Sequence, residues 1–188
     1  MKFCSQCGSS QISFVIPPGD NRPRHCCSQC DTIFYENPKI VAGCIAQWGD
    51  QVLMCKRAIE PRHGKWTLPA GFMENQETVH AAAARETQEE ATAEVSDLQL
   101  YAFYNLPHIN QVYMMFLADL VDGKASPGVE SLEVALMKEN EIPWDELAFP
   151  VITESLELYF EDRKNGEFPL HTGEIVRQSD KTVQITRY

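Results

Sequence analysis

Glu86, Glu89 and Glu90 are the residues from which chemistry can first be argued, because they recur at i, i+3 and i+4 in the Ala- and Glu-rich stretch Ala81 to Ala91. On a helix turning about 100° per residue they share one sector about 100° wide. Like charges at that spacing repel one another. Val79, Ala82 and Ala83 lie on nearly the same azimuth one to two turns earlier, so the acidic cluster starts where a buried stripe ends. Crowded, partly buried carboxylates take up protons or bind cations, and a hard divalent ion with oxygen ligands, Mg2+ first, is the usual resolution. A Glu-rich run alone is most often a solvated helix face, so the neighbouring residues decide.

A second constellation is made of thiols. Cys4-Ser-Gln-Cys7 and Cys27-Ser-Gln-Cys30 are two CxxC pairs with 19 residues between them, a spacing that predicts a zinc ribbon. Four thiolates at about 2.3 Å complete the tetrahedral shell of Zn2+ and leave no open position, so the site holds structure and performs no reaction. Cys26 and His25 compete with Cys27 for the third place. Residues 1–36 contain few large apolar side chains, which makes the metal the expected source of their fold. Cys44 and Cys55 fall in apolar stretches and read as small buried hydrophobes.

The 188 residues are 44% hydrophobic and 23% charged, the balance of a folded domain with an appendage rather than of a disordered or collagenous chain. No apolar run reaches the roughly 18 residues of a membrane span. Sixteen basic against 27 acidic side chains give a net charge of −11, which offers little counterion-release support for nucleic-acid binding. Met1-Lys2-Phe3-Cys4 enters the cysteine motif at once, with no room for a leader peptide. The expectation is a cytoplasmic protein with reduced thiols and neither a membrane nor a nucleic-acid partner.

These residues need elements to position them. After residue 36 an apolar run, Ile40 to Trp48, predicts a strand, a Gly49-Asp50 turn follows, and Gln51 to Arg57 predicts a second. Ala81–Ala91 reads as a helix, Leu98–Leu106, Val112–Leu120 and Leu132–Met137 as strands, and Pro150 opens a helix that stops at Asn165-Gly166. The class is mixed α/β, with boundaries at 1–36, 37–166 and a C-terminal extension over 167–188. Thr182 to Thr186 alternates like an edge strand or a dimer arm.

The stretch Gly71 to Ala93 resembles the Nudix box, G-x5-E-x7-R-E-U-x-E-E-x-G-U. Gly71, Glu77, Arg85, Glu86, Glu89 and Glu90 match its first glycine and every charged position. Six matches in register arise by chance roughly once in ten million starting points. Thr87 and Ala93 replace the bulky aliphatics, and Thr92 stands at the second glycine. That glycine ends the helix at positive φ, which a β-branched residue resists, so the chain is expected to leave the helix by another path.

The resemblance implies an α/β/α sandwich carrying a small N-terminal zinc ribbon, which binds Mg2+ or Mn2+ and hydrolyses a nucleoside diphosphate linked to another moiety. Glu86, Glu89, Glu90 and the Gly71 carbonyl would hold the metal, and Arg85 would brace them with Glu77. Glu90, Glu130 and Glu133 are the candidates for activating water, with Glu133 preferred as a further metal contact. Lys56 and Arg57 are the first candidates for substrate phosphates, with Arg62, His63 and His108 as alternatives. Phe103, Tyr104 and Tyr113 are candidates for stacking on a base, although strands more often place aromatics in cores.

A ribbon ahead of such a domain is similar to two groups. NADH pyrophosphatases carry Ser-Gln-Pro-Trp-Pro-Phe-Pro after the box, and no such segment follows Ala93. The plant-type FAD pyrophosphatases are similar over Tyr35–Lys39, Trp66–Gly71, Pro127–Glu133 and Ile142–Phe149. That resemblance implies cleavage of FAD to FMN and AMP, with ADP-ribose or NADH as alternatives and a homodimer left open. The alternative of another class is a zinc-ribbon interaction module with a nucleotide-sensing domain. Against it, residues 1–36 hold Lys2, Arg22 and Arg24 against Asp20, Asp31 and Glu36, no basic footprint.

Overall fold

Thiol placement organises the first of two units, Met1–Asn37, in the computed structural model, which describes residues 1–180 and 182–188. Strands β1 (Ile12–Val15), β2 (Arg24–Cys27) and β3 (Ile33–Phe34) form one antiparallel sheet. The Sγ atoms of Cys4, Cys7, Cys27 and Cys30 all lie within 4.8 Å of one another. Cys4 to Cys30 and Cys7 to Cys27 are each 3.7 Å apart. A tetrahedron of ~2.3 Å Zn–S bonds spaces its sulfurs at about 3.8 Å, so these four residues fit Zn2+. Cys27 fills the third position. Cys26 instead points its thiol at the Arg24 carbonyl, 3.6 Å away, and His25 packs on Phe14 with ring centroids 4.9 Å apart.

Period-2 alternation builds the second unit, Pro38–Tyr188. Its strands are β4 (Lys39–Trp48), β5 (Gln51–Arg57), β6 (Trp66–Thr67), β7 (Ala70–Phe72), β8 (Val95–Leu106), β9 (Gln111–Leu120), β10 (Ser131–Met137), β11 (His171–Arg177) and β12 (Val183–Arg187). Helix α1 is Val79–Ala91 and α2 is Pro150–Asn165. The sheet runs β10-β5-β4-β9-β8-β11-β12, with β6 on β5 and β7 on β4. Val41 and Ile45 of β4, Val52 and Met54 of β5, and Met115 and Leu117 of β9 face α2 through Ile152, Leu156 and Tyr159. The intervening Ala42, Cys44, Ala46, Leu53, Cys55 and Phe116 pack with Ala82, Ala83 and Ala91 of α1. A mixed sheet between two helices follows, and the small side chains beneath α1 let that helix approach closely. The stretch 167–188 contributes two strands to this sheet. Among the described residues no helix is long and apolar enough to cross a membrane.

The two ends of α1 differ from expectation in an informative way. Thr78 caps the start, its side-chain oxygen accepting from Ala81 N–H at 3.2 Å. At the other end Thr92 does occupy the left-handed region, φ 48° and ψ 38°, and its N–H donates to Gln88 O. The expected detour does not occur. Ser126 N–H and Gly128 N–H donate to the carbonyls of Ala91 and Glu90 at 2.8 and 3.0 Å, so the loop before β10 fixes the exit and overrides the β-branched preference. Thr92→Gly should therefore stabilise the domain by about 1 kcal/mol, a rise of roughly 2–4 °C in Tm for a chain of this size. Calorimetry of the two proteins checks it; an unchanged or lower Tm would mean that Thr92 sits there without strain.

Candidate active site

The stripe that packs α1 on the sheet continues directly into acid. Glu86 and Glu90 follow Ala82 and Ala83 on the inward face and are only 9% and 6% exposed, while Glu89 stands in solvent at the edge. Arg85 holds the group from one side. Its Nη1 donates to Glu86 Oε1 at 2.7 Å and Glu89 Oε2 at 2.9 Å. Its Nε and Nη2 grip both oxygens of Glu77 at 3.1 and 2.8 Å, and Nη2 also reaches the Phe72 carbonyl. A bidentate guanidinium of this kind is a fixed brace rather than a mobile charge. The Arg85 guanidinium holds Glu77 below the usual carboxylate range, helped by the Glu74 N–H.

Glu90 lies on the other side, with Oε2 accepting from Ala70 N–H at 3.3 Å. Burial pushes its carboxyl up to about 8; the Ala70 N–H opposes this, the charges of Glu86 and Glu130 reinforce it, and Arg57 offsets part of it. Burial also raises Glu86, against the pull of Arg85. Two buried carboxylates whose burial opposes their charge suit a hard divalent cation, which would supply the compensating positive charge. The donor set fits Mg2+ or Mn2+, with Glu86, Glu89 and Glu90 as the residues that would hold it. The fit is not preformed: among the described residues only the four cysteines bring three or more ligand atoms within 4.8 Å of one another. Glu86 and Glu89 are meanwhile occupied by Arg85.

Gly71 sets the floor. It pairs with Ala42 in the sheet, and a Cβ built on it would land on the Glu86 carboxylate. Gly128 plays the same part at the helix exit, where a Cβ would strike the Glu89 carbonyl.

The carboxylates open into a cleft of about 1300 Å³. Arg57, Arg62, His108, Tyr113 and Glu130 line it together with Gly71, Arg85, Glu86, Glu89 and Glu90. Arg57 is 9% exposed; its Nε donates to the Pro61 carbonyl at 2.9 Å and its guanidinium lies 5.2 Å from the Phe149 ring centroid. Among the described residues neither Nη group has a hydrogen-bond partner, which leaves both for a ligand.

Several sequence expectations fall elsewhere. Lys56 and Glu133 do not line the cleft: they face each other across β5 and β10, 3.5 Å apart, and Lys56 lies over Trp66. A register shift between Ser131 and Glu133 turns Glu133 away and leaves Glu130, one loop residue before the strand, on the cleft. His63 and Phe103 are not among the lining residues, and Tyr104 is buried with its hydroxyl on Glu154 at 2.8 Å. Ile175, Arg177 and Val183 of β11 and β12 do line the cleft, and sequence reasoning misses them. Only the alternation after Thr182 hints at them.

Comparison with known proteins gives two family matches, a NUDIX domain over residues 37–160 and a zinc-ribbon Nudix N-terminal region over 2–36. The NAD-capped RNA hydrolase NudC of Photobacterium profundum is 31% identical over 147 residues, 75% of this chain and 51% of that protein. This chain thus spans about half the length of such curated relatives. An ADP-ribose pyrophosphatase of Methanocaldococcus jannaschii is 29% identical over 61% of this chain and 69% of its own. The crystal structure of a NUDIX hydrolase from Nitrosomonas europaea superposes with a TM-score of 0.89 at 56% identity, covering 94% of this chain and 99% of that one.

Proposed function

Because the chain belongs to the Nudix family, we propose that its cleft hydrolyses the diphosphate bridge of a nucleoside diphosphate linked to a second moiety, FAD to FMN and AMP first and ADP-ribose second. One observation carries this reading: buried Glu86 and Glu90 stand at the foot of a cleft of about 1300 Å³. That exceeds the ~300–1000 Å³ of common small-ligand pockets and suits a substrate with two bulky ends.

Glu86, Glu89 and Glu90 would hold a divalent cation, which would supply charge neutralisation for the diphosphate and a lowered pKa for a bound water. The chain's own residues do the rest. Arg85 keeps Glu86 and Glu89 in reach of the cation while its own charge is spent on Glu77. Arg57, fixed by Pro61 and Phe149, offers two Nη donors to a phosphate oxygen. Glu130 is the exposed carboxylate on the cleft whose charge both Glu86 and Glu90 feel, and it would take the proton from water.

FAD stands first through the segments similar to plant-type FAD pyrophosphatases. ADP-ribose is favoured by the name of the 29% identical relative. The capped-RNA activity named for the longer relatives finds little electrostatic support in a chain of net charge −11. The test is diphosphate cleavage by the purified protein with Mg2+, read as AMP released from FAD, ADP-ribose and NADH and as nicotinamide mononucleotide released from NAD-capped RNA, compared as kcat/KM. FAD is expected to rank first. Retention of all four substrates intact would overturn the hydrolase reading, and NAD-capped RNA in first place would overturn the choice of substrate.

A further inference from the structure

We propose that the β11–β12 hairpin is the specificity wall of this cleft, taking the planar ring of the substrate's second half, with Arg177 selecting an electron-rich flavin edge over a pyridinium. The inference rests on the functional reading above for where the diphosphate lies.

Register supplies the wall. Arg177 is the cross-strand partner of Val183, so the two side chains share a face, and Ile175, two residues before Arg177, lies on that face as well. All three line the cleft, together with Leu106 and Ile109 from the end of β8 and the turn beyond it. An aliphatic surface of this kind accepts a flat ring. Val183, 41% exposed, still has surface to bury.

The hairpin is fastened at its far end and cationic at its cleft end. Arg187 of β12 grips both oxygens of Glu154 at 2.7 and 3.2 Å, and Tyr104 donates to the same carboxylate, which is 2% exposed. A Cβ on Gly173 would strike the Thr186 carbonyl and press on Tyr104, so glycine is what lets β11 fit closely between β12 and β8. Arg177, by contrast, is exposed and makes no ion pair among the described residues. Fastened at the opposite end, the strands place Arg177 on the rim of the cleft.

Charge then discriminates between second halves. The oxidised nicotinamide ring is a pyridinium cation and is repelled by a guanidinium at close range. The N1–C2=O edge of a flavin is electron-rich and is stabilised by a nearby cation. ADP-ribose has no ring system at that end and is indifferent to the wall.

The test uses the full chain with Mg2+. Flavin fluorescence and calorimetry give the Kd of FMN and of nicotinamide mononucleotide, which both end in a phosphate monoester and differ in the ring and in the sugar that carries it, so the effect of Arg177→Ala on each assigns the difference to the ring. FMN should bind at least about tenfold more tightly. Arg177→Ala should weaken FMN about tenfold, Arg177→Lys should restore most of the loss, and neither should move Tm. In turnover, Arg177→Ala should lower kcat/KM for FAD about tenfold through KM and leave ADP-ribose within about twofold. Equal binding of the two mononucleotides, or equal losses on FAD and ADP-ribose, would overturn the inference. FMN binding through Arg177 in a protein that cleaves no dinucleotide would refute the functional reading and leave the wall standing. FAD turnover indifferent to Arg177 would do the reverse.

Discussion

Replacing Glu90 by glutamine is expected to lower kcat by at least roughly 10²–10³-fold while making the metal-free protein more stable at alkaline pH. Both halves follow from one fact, the burial of that carboxylate. Its function needs the charged form, and its surroundings oppose the charge. In the folded metal-free protein its pKa is pushed up to about 8 from an ordinary 4.5. A raised folded-state value means that the folded chain holds a proton the unfolded chain has lost. The contribution to stability is complete below about pH 4.5 and is lost as pH rises through 8. Glutamine has nothing to titrate. In EDTA the variant and the parent should unfold at similar urea concentrations at pH 5, and the variant should be more stable by a few kcal/mol at pH 8.5. Mg2+ should narrow the gap by stabilising only the parent. Urea titrations at the two pH values, beside initial rates, check the pair of results. A slow variant that is also less stable at pH 8.5 would mean that Glu90 is a structural residue.

The acidic turn is legible in the sequence because helix periodicity is local. Glu86 and Glu90 inherit the azimuth of Ala82 and Ala83, and Gly71, Glu77 and Arg85 stand at fixed offsets in the same short stretch. Strands β4, β5 and β9 are legible for a similar reason, being long and apolar. Elements defined by pairing are not. Strands β6 and β7 have two and three residues and exist because they lie on β5 and β4. The His-Thr-Gly-Glu start of β11 carries no strand signal; its parallel pairing with β8 makes it one. The choice between Glu130 and Glu133 turns on a register shift, which a sequence does not display. Thr92 misleads for the opposite reason: its local preference is real, and two hydrogen bonds from the loop before β10 outweigh it.

Gly71→Ala should cost nearly as much activity as loss of a carboxylate, about 10²-fold, although it adds one methyl group and touches no proton. The backbone of Gly71 is an ordinary strand, absent from the positive-φ positions, so alanine carries no conformational penalty there and loses less entropy on folding. What it meets is Glu86: the new Cβ lies on both carboxylate oxygens. Glu86 is 9% exposed and bonded to Arg85 at 2.7 Å, so it can yield only by breaking that bond and leaving the cluster. The defect should therefore appear first as a higher Mg2+ concentration for half-maximal rate, with KM for the nucleotide little changed. Overpacking should lower stability by roughly 1–3 kcal/mol, which leaves the domain folded. A double-mutant cycle isolates the contact: in a Glu86→Gln background, already deprived of the charge, Gly71→Ala should cost much less than it does alone. Additive losses would mean that the glycine acts through the sheet rather than through the carboxylate lying on it.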